Sequence, residues 1–153
     1  MKKQKVGASI VVIKGESGWL MIKRSNHLDS YPGRWAFPGG GIEEGEEPIL
    51  AGCREIWEEV GIALNPIDLF EIGYQNHESK KIFFWLCFVN KPAIKINDES
   101  EDWGWFKLSE VLNLNTIPIP EYVIKIMKDV ESKANATQNT TNVQLIFGED
   151  WMD

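Results

Sequence analysis

Glu55, Glu58 and Glu59 stand at i, i+3 and i+4 within the segment 48–60, PILAGCREIWEEV. At about 100° per residue this spacing gathers the three carboxylates on one side of a helix. Ile49, Cys53, Ile56 and Val60 gather on roughly the opposite side, with Leu50 and Trp57 flanking them. Such a helix turns an apolar stripe to a core and a carboxylate cluster to something else. The cluster is locally unfavourable. Glu55 and Glu59 are like charges one turn apart, which costs roughly a few tenths of a kcal/mol. Glu58 and Glu59 also lie in the last turn, where the macrodipole favours cations by about 0.3–1 kcal/mol each. A solvated acidic face is the bland reading of a Glu-rich helix, but two electrostatic rules broken at one place invite a functional one. Three converging carboxylates suit Mg²⁺ or Mn²⁺, hard cations that prefer oxygen ligands.

Punctuation residues bound the helix. Pro48 suits the first helical position and Gly61 the residue just past the end. Upstream, 6–13 (VGASIVVI) and 19–24 (WLMIKR) read as strands joined by the turn KGESG, which suggests a hairpin. A polar loop leads to WAFPGGG, whose consecutive Gly39, Gly40 and Gly41 mark a tight backbone bend. Downstream, 67–75 and 82–89 read as strands, the second buried on both faces, and 103–108 as a further short strand. Ser109 reads as the cap of a short helical turn, and 120–130 as an amphipathic helix with Val123, Ile126, Met127 and Val130 on one face. Strands alternating with two main helices on a mixed sheet give an α/β class, a sheet sandwiched between helices. Residues 1–133 form one domain; 134–142 (ANATQNTTN) read as a polar connector and the rest as a tail that regains apolar character.

Bulk properties narrow the partners. With 153 residues and 43% apolar composition, including seven Trp and seven Phe, the chain can bury a core. A net charge of −7 without a basic run argues against a broad nucleic-acid surface, though a local cluster of cations and metal can still bind phosphate. No apolar stretch is long enough to span a membrane. The basic N-terminus leads into a short β-branched run, which reads as a strand and not a signal peptide, so a cytoplasmic location is expected. The sequons at Asn135 and Asn139 are then accidental. Cys53 and Cys87 form no CxxC and only His27 and His77 accompany them, so zinc is not expected and the thiols read as reduced. Homodimerisation is left open.

The residues around the helix sharpen the reading. Gly40, five residues, Glu46, seven residues, then Arg54-Glu55-Ile56-Trp57-Glu58-Glu59-Val60-Gly61-Ile62 form one continuous pattern. Its fixed residues at fixed spacing would arise by chance in roughly 10⁻⁷ to 10⁻⁸ of chains of this length. The pattern resembles the box of the Nudix hydrolase family, matching it at every specified position, and the similarity extends over about residues 5–130. The hairpin ending in Lys23-Arg24, the WAFPGGG approach and the acidic stretch before Trp105-Phe106 also lie where that family places related features.

The resemblance implies a Nudix-like α/β/α sandwich and hydrolysis of a nucleoside diphosphate linked to another group. ADP-ribose, nucleotide sugars and dinucleoside polyphosphates are the substrate classes, with MutT-like pyrophosphohydrolysis of nucleoside triphosphates as the alternative. Glu55, Glu58 and Glu59 would hold Mg²⁺ or Mn²⁺, and Glu55 or Glu58 would take a proton from the attacking water. Arg54 would brace the box by bidentate bonding to Glu46. Gly39, Gly40 and Gly41 let backbone pass close to the helix and expose amides to substrate. Arg24, at a strand end, is a candidate phosphate ligand. Many family members draw a further ligand or base from the loop that here reads Asn97 to Asp102; Glu101 and Asp102 are the nearest candidates, with Glu99 behind them. Trp35, Phe37, Phe84 and Trp103 read as core rather than base-stacking platforms. Subfamily markers downstream of the box are absent, since Glu78 and Lys80 occupy their positions, so the substrate is not chosen. A non-catalytic ligand-sensing Nudix module would be expected to lose box glutamates, and all are present. A prenyl diphosphate isomerase would need an active-site Cys, whereas Cys53 falls on the core side.

Overall fold

A computed structural model describes residues 4–136. The chain divides into two units, Met1–Pro118 and Ile119–Asp153. The first is built on strand β1 (Lys5–Gly15), whose run of β-branched residues puts Val11, Val12 and Ile13 fully inside. Strand β2 (Gly18–Arg24) turns back on it through Lys14↔Trp19 and Gly15↔Gly18, so the hairpin is real but its ladder with β1 is short. The remainder of that β1 edge is taken by a strand the sequence does not announce.

Strand β3 (Trp35–Ala36) pairs with β2, and strand β4 (Gly39–Glu43) pairs antiparallel with β1. The three glycines thus lie in a ladder, Ile10↔Gly39, Ser9↔Gly40 and Ala8↔Gly41, where a tight bend is expected. Glycine has little strand propensity of its own; the pairing is imposed by β1 and by the helix that presses on it. That helix, α1 (Pro48–Val60), starts with Pro48 in its first turn and ends at Gly61, whose φ of 75° lets its N–H bond Trp57 O at 3.1 Å.

Residues 66–68 form a 3-10 turn capped by the Asn65 side chain, so strand β5 (Phe70–His77) begins three residues later than the apolar pattern suggests. Strand β6 (Lys80–Phe88) runs parallel to β1 from Gly7↔Lys81 to Lys14↔Phe88 and antiparallel to β5. Its consecutive buried residues Phe84, Trp85, Leu86 and Cys87 face both sides of the sheet. Strand β7 (Ser100–Phe106) pairs with β2. Helix α2 (Leu108–Val111) is capped from Lys107, not Ser109: the Glu110 carboxylate accepts the Lys107 N–H at 2.8 Å. In the second unit, helix α3 (Glu121–Ala136) carries buried Val123, Met127 and Val130. It extends through Ala134–Ala136, where the sequence predicts a connector; the apolar tail lies outside the described residues.

The core of the first unit gathers Val11, Ile13, Leu20 and Ile22 of the sheet with Ile56 and Val60 of α1 and with Trp85 and Cys87 of β6. Each such Val, Leu or Ile side chain stabilises the fold by about 1.5–3 kcal/mol. A polar link crosses this core. Trp85 Nε1 donates to Ser9 Oγ at 2.8 Å, and Ser9 Oγ donates to Pro48 O at 2.7 Å. The start of α1 is thereby fixed to β1 and β6, which sets where its carboxylates fall. Cys53 and Cys87 are free thiols, and burial pushes Cys87 up to about 12. Among the described residues no helix is long and apolar enough to cross a membrane.

Candidate active site

Arg54 is the hub of the site. Its Nε donates to Glu46 Oε2 at 2.8 Å and its Nη2 to Glu46 Oε1 at 2.9 Å, a bidentate pair. Nη2 also reaches Gly41 O at 2.9 Å, and Nη1 reaches Glu55 Oε1 at 3.0 Å and Glu58 Oε2 at 3.2 Å. Glu46 in turn accepts the Glu43 N–H at 3.0 Å. The guanidinium therefore ties the loop before α1, strand β4 and the exposed side of α1 into one piece. Hydrogen bonding from Arg54 holds the Glu46 carboxyl down at about 2, and Arg54 itself is raised, chiefly by Glu46.

The three box glutamates have different surroundings. Glu59 is 5% exposed, and its Oε1 accepts the Gly39 N–H at 2.6 Å. A helical wheel places it beside Glu55 and Glu58 but cannot show that β4 closes over it. Burial pushes its carboxyl up to about 8; the Gly39 N–H opposes that rise, while the charges of Glu55 and Glu99 add to it. Glu55 is partly buried against Gly40, so closely that a Cβ at that position would overlap its carboxylate. Burial raises its pKa, and the Arg54 charge acts against the rise. Glu58 is half exposed, at 51% of its side chain.

Among the described residues no three acidic, histidine or cysteine side chains converge on a single metal-ligand point. Gly39 engages Glu59, and Arg54 engages Glu55 and Glu58. The donors still fit a hard divalent cation. They are all oxygens, and burial raises the pKa of both Glu59 and Glu55, with neighbouring carboxylates adding to the rise.

The acidic loop is sorted by its hydrogen bonds. Asn97 Nδ2 donates to Glu58 O at 3.1 Å, and Ser25 Oγ donates to Asp98 O at 3.0 Å. The Glu99 N–H bonds Asn97 Oδ1 at 3.0 Å, and the Ser25 N–H bonds Glu99 O at 2.9 Å. Fastened to both α1 and the end of β2, the loop brings Glu99 within electrostatic reach of Glu59. Glu101 instead pairs with Lys23 at 3.4 Å, and Asp102 accepts the N–H of Trp103 at 2.8 Å. Lys23 and the Trp103 N–H thus engage the two acids expected to lead, while it is the charge of Glu99 that acts on Glu59. The one sequence signal was Asn97, a turn-forming side chain two residues earlier.

Arg24 bonds Ser30 O through Nε at 2.9 Å, yet its charge also acts on Glu59, so the strand-end arginine lies at the cluster. Phe37 and Phe84 are buried, and Trp35 packs edge-on against Phe106 with centroids 5.3 Å apart. Trp103, expected in the core, is 36% exposed. Among the described residues β7 pairs with β2 alone.

A mixed-sheet α/β fold that holds a carboxylate-bearing helix against a glycine strand defines the class: an anhydride hydrolase with the Nudix α/β/α sandwich. The chain belongs to the Nudix family, whose NUDIX domain matches residues 3–126. It is 29% identical over 115 residues to nucleoside triphosphatase NudI of Escherichia coli, spanning 67% of this chain and 82% of that protein. The MutT NUDIX hydrolase of Burkholderia pseudomallei superposes with a TM-score of 0.61 at 26% identity, covering 82% of this chain and 96% of that one. An Ap4A hydrolase of C. elegans shares the fold with a TM-score of 0.63 at 19% identity, covering 84% and 98%. As a Nudix hydrolase the protein acts on acid anhydrides of phosphorus, in a family that generally uses divalent metals and small nucleotide substrates.

Proposed function

We propose that the protein cleaves a phosphoanhydride bond in a nucleoside diphosphate that carries a further group, with Mg²⁺ or Mn²⁺ held by Glu55, Glu58 and Glu59 and supported by Glu99. The observation that carries this reading is the carboxylate cluster on α1, partly buried and braced by Arg54 and Glu46. A bound divalent cation supplies charge neutralisation at the phosphate oxygens and a lowered pKa for the attacking water. The chain supplies the rest. Glu55 or Glu58 accepts the proton of the attacking water, Arg24 receives a phosphate oxygen, and Gly39–Gly41 let backbone approach the substrate. Arg54, with every nitrogen of its guanidinium already donating, is structural.

A nucleoside triphosphate is the case in which the further group is phosphate, and the E. coli relatives are named as nucleoside triphosphatases. That favours the triphosphate reading over ADP-ribose, nucleotide sugars and dinucleoside polyphosphates. The test is a screen over all four classes with the nucleotide and phosphorylated products resolved by chromatography, with Mg²⁺, with Mn²⁺ and with excess EDTA. Turnover confined to the metal-containing arms supports the mechanism; undiminished turnover in EDTA removes it. Release of pyrophosphate from triphosphates alone selects the second reading.

A further inference from the structure

We propose that Lys5 binds a phosphate oxygen of the substrate on the Gly41 side of the glutamate cluster. The inference rests on the reading of that cluster as a phosphoanhydride-cleaving site. Lys5 is the first residue of β1 and faces Glu43 of β4 across the ladder. Its aliphatic stem crosses directly over Gly41: a Cβ there would lie 2.7 Å from Lys5 Cδ and 3.0 Å from Cγ. The first is shorter than real Cβ contacts and the second is at their tight end, so the third glycine leaves a groove that the lysine stem occupies. The stem is packed while the ammonium stays wet, with 47% of the side chain exposed.

Its charge is directed at the site. The residue its stem crosses is tied to the cluster, since Arg54 Nη2 donates to Gly41 O at 2.9 Å and Arg54 Nη1 to Glu55 Oε1 at 3.0 Å. The ion pair of Lys5 with Glu43 is long, 3.7 Å, and so is readily exchanged for a better anion. Arg54 cannot serve instead, since Glu46, Glu55, Glu58 and Gly41 O already share it. Arg24 ends β2 with its Nε bonded to Ser30 O, whereas Lys5 starts β1. A diphosphate approaching a cluster of carboxylates in a chain of net charge −7 meets strong repulsion. Cations from two strands, Lys5 of β1 and Arg24 of β2, offset it. A lysine, a compact point charge on a flexible stem, is suited to following phosphate oxygens as the bond breaks.

The test compares wild type with Lys5→Gln, Lys5→Arg, Gly41→Ala and the double variant Lys5→Gln/Gly41→Ala. Inorganic pyrophosphate is titrated by calorimetry in the presence of Mn²⁺, and Mn²⁺ alone is titrated by electron paramagnetic resonance. Lys5→Gln should weaken pyrophosphate about tenfold to a hundredfold, the weight of a hydrogen bond to a charged group. Lys5→Arg should stay within about threefold of wild type, because the charge is kept. Affinity for Mn²⁺ alone should hold or rise, because a nearby positive charge has been removed. Gly41→Ala should reproduce the Lys5→Gln loss by displacing the stem, and add little in the double variant. For any nucleotide that wild type hydrolyses, KM should rise in Lys5→Gln.

Unchanged pyrophosphate affinity in folded Lys5→Gln overturns the proposal, as does a loss matched by equal loss of Mn²⁺. Lys5-dependent pyrophosphate binding without turnover of any nucleotide keeps the proposal and removes the hydrolytic reading. Absence of pyrophosphate binding in wild type removes Lys5.

Discussion

Arg54 grips Glu46 through two parallel hydrogen bonds, 2.8 Å from Nε and 2.9 Å from Nη2, across the turn that leads into α1. The pair fixes the register between the carboxylate helix and the glycine strand, because the same guanidinium holds Gly41 O. Glu46→Gln should cost about 1–3 kcal/mol at pH 7, as for a hydrogen bond to a charged group. The Glu46 carboxyl is held down at about 2, against a usual 4.5. A carboxyl with a depressed folded-state pKa contributes stability that is complete above its unfolded value and is lost as pH falls toward the folded one. Wild type should therefore lose its advantage over Glu46→Gln between about pH 5 and about pH 2. Urea unfolding of both proteins across that range checks it; a gap that stays constant with pH shows that the charge is irrelevant.

Glu58 contributes to function far more than to folding. It pairs with Arg54 at i,i+4 over 3.2 Å, but half exposed and near the negative end of the α1 macrodipole. Such a pair is worth about 0.3–0.5 kcal/mol, which the dipole penalty of similar size offsets. Glu58→Gln should nearly abolish turnover while changing the stability of the EDTA-treated protein by less than about 1 kcal/mol. Mg²⁺ should raise the Tm of wild type and raise that of the variant much less. A variant destabilised by more than that in EDTA would make Glu58 a structural residue.

The boundaries of α1 were legible in the sequence because its signals are local: Pro48 at the start and Gly61 at the end act within one turn. The pairing of Arg54 with Glu46 was legible only through the family pattern, since the wheel alone leaves Arg54 a surface cation. Strand β4 was not legible, because Gly39–Gly41 have no propensity to reveal and their pairing comes from β1, some thirty residues earlier. Glu59 was read as facing out with Glu55 and Glu58. Its burial depends on β4 and on the loop around Glu99, which no helical periodicity encodes.

Glu99 illustrates the same limit and gives a further test. Its position is set by Asn97 bonding Glu58 O and by Ser25 bonding Asp98 O, contacts between residues 39 and 73 positions apart. Glu99→Gln should reduce kcat by at least about tenfold, in the range for a charged group at the reacting centre. Glu101→Gln and Asp102→Asn should each stay within about twofold, because Lys23 and the Trp103 N–H hold those carboxylates. Steady-state kinetics of the three variants decides. If Glu101 or Asp102 matters and Glu99 does not, the loop turns over on substrate binding and its resting geometry does not describe the working site.

The last prediction concerns Glu59 and the metal-free protein. Burial, with the charges of Glu55 and Glu99, pushes its carboxyl up to about 8 from a usual 4.5. With the folded pKa above the unfolded one, the folded state keeps a proton that the unfolded chain has released. Stability tied to that proton is complete below about pH 4.5 and is lost as pH rises through about 8. In EDTA, wild type should therefore unfold more easily at pH 9 than at pH 6. Glu59→Gln, which cannot ionise, should show a flatter profile and be the more stable of the two at pH 9. Mg²⁺ should reverse the order, because a cation on the ionised carboxylate replaces the lost proton and the variant cannot use it fully. Thermal unfolding at both pH values, with EDTA and with Mg²⁺, measures all four corners for each protein. A wild-type profile in EDTA no steeper than that of Glu59→Gln would mean that Glu59 is not an uncompensated buried carboxyl, and its assignment as a metal ligand would lose its physical basis.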